Sequence, residues 1–244
     1  MTQLLLDLEL PVAPTFDNFI VGRNAESLSA LRRLTSTPAA DASSRCLYLW
    51  GESGSGRSHL MQAIADAIET RCIGGAEATP ELLRARVDGP GRRVLVVDDV
   101  AAMNADAQEA LFHAINRVRD DAFGAMVVSG DAPPRDLVLD PARDDLRSRL
   151  AWGLVYQLHR LDDDEKDAAL VHRAADRRFP LTPEVRRYLL THFSRDLGSL
   201  MRMVDALDRH ARENQRIVTV PLIRDFLQRN IVFPTREERV GQRV

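Results

Sequence analysis

The fold is decided by residues 46–60, which read CLYLWGESGSGRSHL. A short apolar run ends at Trp50, a glycine-rich turn begins at Gly51, and a helical pattern of apolar residues follows from Leu60. This order of strand, glycine-rich turn and helix is the context that a phosphate-binding loop requires. Its glycines let successive backbone N–H groups turn toward a phosphate, and the helix offers its unsatisfied N-terminal amides to the same anion. The sequence therefore predicts a nucleotide site at this loop.

The side chains of the loop predict how a nucleotide is held. Ser58 occupies the position at which a hydroxyl joins the ligand shell of Mg²⁺. Arg57 stands where a lysine is usual, and its planar guanidinium is bulkier than an ammonium and reaches phosphates differently. We therefore expect phosphate binding with slow intrinsic hydrolysis. The other candidate nucleotide-binding residues of the loop are Gly51, Ser53, Gly54, Ser55, Gly56 and His59.

Two carboxylates follow a second apolar run. Residues 94–99 read VLVVDD and predict a buried parallel strand that ends in Asp98 and Asp99. Ligands of open α/β sheets bind at the carboxyl ends of the strands. We expect Asp98 to hold Mg²⁺, directly or through water, and Asp99 to orient an attacking water. A further buried strand, predicted for residues 125–129, ends just before Asp131.

Composition limits the class of protein. The 244 residues are 45% hydrophobic and carry a formal net charge of −3, which argues against a strong non-specific DNA binder. Cys46 and Cys72 are the only cysteines, so no disulfide framework or cysteine-based metal spacing exists and a cytoplasmic location is expected. The first ten residues, MTQLLLDLEL, lack the features of a signal peptide, and no segment is apolar enough to cross a membrane.

The pattern along the chain predicts four regions. Residues 1–14 form an extended arm, 15–159 an α/β core with a parallel sheet, 160–232 a helical subdomain, and 233–244 a charged tail. The arm has leucines that no core element explains, so they are expected to dock on the protein itself or on a partner.

The ordered motifs resemble an AAA+ module, with a five-stranded parallel sheet and a C-terminal helical lid. The segments TFDNFIVGRN, GESGSGRSHL, VLVVDDV, SRLAWGL and SRDLGSL resemble the nucleotide-binding domain of the bacterial initiator DnaA. A DNA-binding domain like that of DnaA is not expected after the lid, and QLLLDL at residues 3–8 is similar to a peptide that docks on the β sliding clamp. Together these features resemble the Hda family, the regulatory inactivators of DnaA, in which arginine also replaces the loop lysine.

The resemblance implies roles for further residues. Arg149 would be an arginine finger acting in trans, Asp131 a sensor, and Arg195 the lid arginine that senses the nucleotide. Ile20, Val21 and Gly22 would flank the base. The residues implied in clamp binding are Gln3, Leu4, Leu6 and Leu8.

The resulting expectation is a regulator of replication initiation that binds ADP or ATP with Mg²⁺. It would bind DnaA and the DNA polymerase III β sliding clamp, reach DNA through the clamp, and stimulate hydrolysis of the ATP on DnaA. This role does not require the chain to have ATPase activity of its own. The sequence leaves open whether the chain forms a homo-oligomer. Two alternatives are a self-hydrolysing AAA+ ATPase, such as a helicase loader, and a small-molecule P-loop kinase. The former leaves the leucine-rich arm unexplained, and the latter lacks a candidate acceptor site.

Overall fold

The chain divides into two compact units, Met1–Arg160 and Leu161–Val244. The computed structural model describes residues 13–36, 43–88, 94–120, 124–177, 180–193, 197–214 and 216–229. The predicted charged tail, residues 233–244, lies outside these ranges. Within them, every helix is too short or too polar to cross a lipid bilayer.

The first unit is built on a sheet of five parallel strands. They are β1 (Cys46–Trp50), β2 (Cys72–Gly74), β3 (Val94–Asp98), β4 (Ala125–Gly130) and β5 (Leu154–Gln157). Their order across the sheet is β2-β3-β4-β1-β5, with every pairing parallel. The apolar runs of β1, β3 and β4 are buried, as expected for parallel strands covered by helices on both faces. The predicted α/β fold with a parallel five-stranded sheet is confirmed.

Among the described residues, five helices pack on the sheet, and four more form the second unit. They are α1 (Ala25–Ser36), α2 (Arg57–Ala67), α3 (Pro80–Asp88), α4 (Ala105–Arg119), α5 (Asp144–Leu150), α6 (Asp163–Asp176), α7 (Pro183–His192), α8 (Leu197–Glu213) and α9 (Val220–Arg229). Alternate residues of β1 divide the core: Leu47 and Leu49 pack with α1 and α2, whereas Cys46 and Tyr48 pack with α3, α4 and α5. Both faces of the sheet are thereby covered, and its carboxyl edge is left for loops.

The second unit is helical. Helices α6 to α9 enclose their own apolar cluster, which includes Leu170, Leu189, Val204 and Ile223. Two helix starts follow from local sequence: Asp162 and Glu165 form a reciprocal capping box at α6, and the Thr182 side chain caps α7. The predicted C-terminal helical lid is confirmed.

Two element boundaries differ from the predicted ones. Strand β3 ends at Asp98, one residue early, because Asp99 has a left-handed backbone with φ of 61°. Strand β4 continues through Gly130, one residue beyond the predicted end. Helix α4 begins at Ala105, because the side chain of Asn104 accepts a hydrogen bond from the Ala107 N–H and caps the helix there.

Candidate nucleotide-binding site

Three neighbouring strand ends meet at the carboxyl edge of the sheet. Strand β4 lies between β3 and β1, and Trp50 at the end of β1 is in register with Gly130 at the end of β4. The residues that end or follow these strands are therefore adjacent in space, although they are far apart in sequence. They are the glycine-rich loop from Gly51, the pair Asp98 and Asp99, and Asp131.

The loop after β1 needs glycine at three positions for different reasons. A Cβ on Gly51 would lie 2.4 Å from the Leu158 carbonyl oxygen, and one on Gly56 would lie 2.7 Å from the Phe19 ring. Gly54 and Gly56 also have positive φ angles, 84° and 92°, which side chains disfavour. Gly56 is the N-cap of α2, so the loop leads into the free N–H groups of that helix. This is the local structure of an anion-binding cradle.

Two buried polar atoms at the loop have no hydrogen-bond partner among the described residues. They are Nη1 of Arg57, at the first position of α2, and Oγ of Ser55. A buried polar group without a partner is costly, and a guanidinium nitrogen fits a phosphate oxygen. The residues present therefore fit a phosphate group at this loop.

A serine on β4 holds the carboxylate that ends β3 and the backbone of the next residue. The buried hydroxyl of Ser129 donates a hydrogen bond to Oδ1 of Asp98 and accepts one from the Asp99 N–H, at 2.9 Å. The hydroxyl thereby orients the Asp98 side chain and stabilises the left-handed turn at Asp99. Sequence reasoning had given Ser129 no role. The sequence feature that points to such a role is a hydroxyl inside an otherwise apolar buried strand.

Charges at the three strand ends act on one another. Partial burial raises the pKa of Asp99, and the carboxylates of Asp98 and Asp131 raise it further, whereas the Arg57 guanidinium lowers it. Burial also raises the pKa of Tyr48, and Asp131 adds to that shift. The Tyr48 hydroxyl donates to the Ala132 carbonyl at 2.8 Å, next to Asp131. The structure thus brings together the three predicted acidic residues and the loop arginine.

The predicted metal ligands lie on α2 and at the end of β3. Ser58 is exposed in the first turn of α2, and Asp98 lies at the end of β3. Within the described ranges, no group of three or more His, Cys, Asp or Glu side chains is arranged to hold a metal by itself. Mg²⁺ on nucleotides commonly takes one or two protein ligands and completes its shell with phosphates and water. Ser58 and Asp98 fit that mode of binding.

A segment before α1 packs against the loop. The Phe19 ring lies 5.5 Å from the His59 ring, and Nε2 of His59 is 2.9 Å from the Thr15 carbonyl oxygen. Ile20 and Val21 are half-buried and Gly22 has a φ of 48°. The residues predicted to flank a base therefore directly follow an aromatic side chain that touches the loop.

Comparison with known proteins agrees with this arrangement. Residues 10–74 and 87–157, more than half of the chain, match the family described as the bacterial DnaA ATPase domain. Residues 163–227 match the family described as the Hda lid domain. The chain belongs to the DnaA-related AAA+ family.

Solved structures share the fold. Domain III of DnaA from Thermotoga maritima is 21% identical, with a TM-score of 0.70 over 91% of this chain and 98% of that one. AMPPCP-bound DnaA from Aquifex aeolicus is 22% identical, with a TM-score of 0.60 over 82% of this chain and 69% of that one. The RuvB branch migration motor of Thermotoga maritima is 16% identical, with a TM-score of 0.59 over 82% and 68%.

Arg149 lies apart from the phosphate loop of this AAA+ chain. It is half-buried near the end of α5, its guanidinium carbon is 5.4 Å from the centre of the Phe112 ring, and it lines a small cavity with Cys46 and Met126. Cys46 begins β1, whereas the phosphate loop follows the other end of that strand. At about 3.3 Å per residue, the four steps from Cys46 to Trp50 span about 13 Å. The structure does not bring Arg149 to the loop.

The other arginines on α5 and just before it form ion pairs or hydrogen bonds within the chain. Arg147 forms an ion pair with Asp144 and donates to the Leu137 carbonyl at 2.8 Å. Arg143 forms an ion pair with Glu109 at 2.5 Å. Arg149, by contrast, has no carboxylate partner among the residues that the structure describes.

Two other sets of predicted residues lie outside the described ranges. They are the lid arginine Arg195 and the clamp-binding residues Gln3, Leu4, Leu6 and Leu8.

Proposed function

We propose that this chain regulates bacterial replication initiation by stimulating hydrolysis of the ATP bound to DnaA. In this proposal it binds ADP with Mg²⁺ at its own loop, binds the sliding clamp through its N-terminal arm, and supplies Arg149 to the nucleotide of DnaA. The family supports a link to DnaA, since the chain combines a DnaA-type ATPase domain with a lid of the Hda type.

The observation that carries the proposal is the position of Arg149. It lines a small cavity with Cys46, which begins β1 about a strand's length from the chain's own phosphate loop, and its guanidinium lies over the Phe112 ring instead of pairing with a carboxylate of the described chain. A cation in that state is available to an anion on another molecule. Arginine fingers of this kind are worth roughly 10³–10⁵ in rate in well-studied GTPases, because they stabilise charge that develops on the transferred phosphoryl group.

The nucleotide part of the proposal rests on the loop. The unpartnered Nη1 of Arg57 and the carboxylates of Asp98 and Asp99 are where a phosphate and a hydrated Mg²⁺ would be held. A related DnaA structure contains the adenine nucleotide analogue AMPPCP. When bound, the Mg²⁺–nucleotide supplies a polyanion that Arg57 and the loop amides neutralise. ADP is favoured as the resident nucleotide because arginine replaces the lysine that usually supports hydrolysis.

The clamp part of the proposal rests on the sequence of the arm. The run QLLLDL at residues 3–8 combines a glutamine with leucines in a segment that no core pattern explains. Extended peptides bind through side-chain pockets on the partner. Attachment to a clamp on DNA would raise the local concentration of the chain near DnaA without a direct DNA contact.

A reconstitution tests the proposal. DnaA loaded with labelled ATP is mixed with this chain, ADP, Mg²⁺, and clamp assembled on DNA, and hydrolysis is followed through a single turnover. We expect fast hydrolysis only when both this chain and the loaded clamp are present. Hydrolysis that is unchanged by the addition of this chain would contradict the proposed function.

A self-hydrolysing AAA+ ATPase is the second candidate. It is favoured by the complete set of Arg57, Asp98 and Asp99 at the strand ends, which suits hydrolysis in the chain's own site. The discriminating measurement is ATP turnover by the isolated chain. Turnover of many ATP molecules per minute, without stimulation of DnaA, would favour this second candidate.

A further inference from the structure

Residues 158–160, here called the connector, run beside the phosphate loop after β5. The Leu158 N–H donates to the Trp50 carbonyl at 2.7 Å, one residue before the loop begins. The Leu158 carbonyl oxygen approaches Gly51 so closely that a Cβ there would lie 2.4 Å away. The backbone of the connector is therefore fixed against the first residue of the loop.

Asn24 fixes the next residue of the connector. Its side-chain amide donates to the His159 carbonyl at 2.9 Å, and its side-chain oxygen accepts from the His159 N–H at 2.7 Å. Asn24 is only 2% exposed, so these two hydrogen bonds satisfy a buried amide on both sides. This pairing holds the residue that precedes Arg160 in one orientation.

The side chain of Arg160 reaches from this fixed backbone onto the loop. Its Nε donates to the Ser53 carbonyl at 2.5 Å, and its Nη1 lies 3.1 Å from Oε2 of Glu52. A Cβ on Gly54 would be 3.8 Å from the same Nε, so the guanidinium lies over that glycine. The ion pair with Glu52 involves two exposed side chains and contributes little. The informative contact is the hydrogen bond to the Ser53 carbonyl.

That hydrogen bond determines the direction of a loop N–H group. The described peptide bonds are trans, so the Ser53 carbonyl and the Gly54 N–H of the same peptide unit point in opposite directions. Glycine permits such a unit to rotate, because Gly54 already has a φ of 84° and no side chain to resist other values. Rotation of this unit would place the Ser53 carbonyl oxygen where the Gly54 N–H had been. A carbonyl oxygen repels a phosphate.

We propose that Arg160 is a positioning residue for the phosphate loop. By holding the Ser53 carbonyl on its own side, it keeps the Gly54 N–H directed away from itself, toward the phosphate. This role deepens the proposed function, since it rests on nucleotide binding at this loop, but it does not depend on DnaA or on the clamp. Arg160 acts here as a hydrogen-bond donor at the Nε position and not as a phosphate-binding charge.

Three substitutions separate the donor from the charge. In Arg160→Gln the side-chain nitrogen is attached to Cδ, as Nε is in arginine, so the donor remains and the charge is lost. In Arg160→Lys the charge remains, but a methylene group occupies the Nε position. Arg160→Ala loses both. Arg135→Ala is the matched control, because Arg135 is an exposed arginine paired with Asp136 and far in sequence from the loop.

The affinities of the four variants for ADP and for adenosine are compared by calorimetry and by displacement of a fluorescent nucleotide. We expect Arg160→Ala and Arg160→Lys to weaken ADP binding by about tenfold, the scale of a lost hydrogen bond from a charged group. Arg160→Gln should stay within about threefold of the unaltered chain. Adenosine affinity and the melting temperature should be unchanged in all of them, since only the phosphate cradle is affected.

A second readout uses the chain without nucleotide. The backbone amide resonance of Gly54 should move in Arg160→Ala and Arg160→Lys, but stay close to its original position in Arg160→Gln.

Retention of ADP affinity by Arg160→Lys with loss in Arg160→Gln would overturn the proposal in favour of a simple charge effect. Equal ADP affinity in Arg160→Ala and the unaltered chain would also overturn it, while leaving the proposed function intact. If the unaltered chain bound no ADP, the nucleotide part of the proposed function would fail together with this role.

Discussion

The hydroxyl of Ser129 donates a hydrogen bond to Oδ1 of Asp98, which links the carboxylate that ends β3 to the neighbouring strand β4. The same hydroxyl accepts the Asp99 N–H at 2.9 Å, so its removal leaves a backbone donor without its partner. We therefore expect Ser129→Ala to lower the free energy of unfolding by about 1–3 kcal/mol. Urea denaturation measures this change in the free energy of unfolding, and Ser148→Ala, at an exposed serine, is the control. Equal stability of the two variants would contradict this role for Ser129.

The stability of the chain should depend on pH through Asp99. Partial burial and the carboxylates of Asp98 and Asp131 raise the pKa of Asp99 in the folded chain. Its ionised form is thus destabilising above that raised pKa, and the penalty disappears below the unfolded carboxyl pKa of about 3.9.

Asp99→Asn should accordingly be more stable than the unaltered chain at pH 7, with the difference vanishing as the pH falls toward 4. Asparagine tolerates the left-handed backbone that Asp99 adopts, so the substitution adds no strain. Thermal unfolding as a function of pH measures the effect, and Asp136→Asn, at an exposed ion pair, is the control. A variant that is less stable at pH 7 would refute the electrostatic account.

Arg57 should be needed for nucleotide binding. Its Nη1 is buried without a hydrogen-bond partner in the described chain, which suits a phosphate oxygen. We expect Arg57→Ala to weaken ADP binding by more than about tenfold, the scale of a lost charge-assisted contact, whereas Arg135→Ala should bind ADP normally. Titration calorimetry with Mg²⁺ measures both. ADP binding that survives Arg57→Ala unchanged would place the phosphate elsewhere.

The leucine-rich arm should bind the sliding clamp independently of the nucleotide site. Gln3 and Leu6 belong to the sequence QLLLDL, whose side chains would enter pockets on the clamp. We expect the double substitution Gln3→Ala with Leu6→Ala to abolish clamp binding, while ADP affinity and melting temperature stay unchanged. Surface plasmon resonance on immobilised clamp measures the loss. Unaltered clamp affinity would mean that the arm serves its own domain.

Local patterns in the sequence predicted most of the fold. The buried strands, the glycine-rich turn and the capped helices depend on residues that are neighbours along the chain, so their signals are complete in short windows. The acidic pair after β3 was predictable for the same reason. The left-handed backbone at Asp99 was not, because it depends on a hydrogen bond to Ser129, 30 positions away.

The supporting contacts of the site were not predictable in the same way. Arg160 contacts Ser53 across 107 positions, and Asn24 contacts His159 across 135. Neither pair belongs to a recognisable motif. Arg160 reaches Ser53 because the strand order places β5 beside β1, and Asn24 reaches His159 from the residue just before α1. The sequence contains the residues of a site, but the topology determines which of them form hydrogen bonds with one another.

The central claim is that Arg149 acts on the nucleotide of another molecule. Its guanidinium lies over Phe112, away from the chain's own phosphate loop, so its loss should not affect ADP binding or clamp binding. Arg149→Lys should recover little, because an ammonium lacks the bidentate fork that matches a phosphoryl group.

The most direct test is single-turnover hydrolysis of DnaA-bound ATP with clamp on DNA, comparing the unaltered chain with Arg149→Ala and the control Arg135→Ala. We predict that Arg149→Ala loses most of the stimulation, by about 10³-fold or more if the finger resembles those of GTPases, while Arg135→Ala retains it. Equal stimulation by Arg149→Ala and the unaltered chain would contradict the account, and Arg147 would then be the next arginine to test.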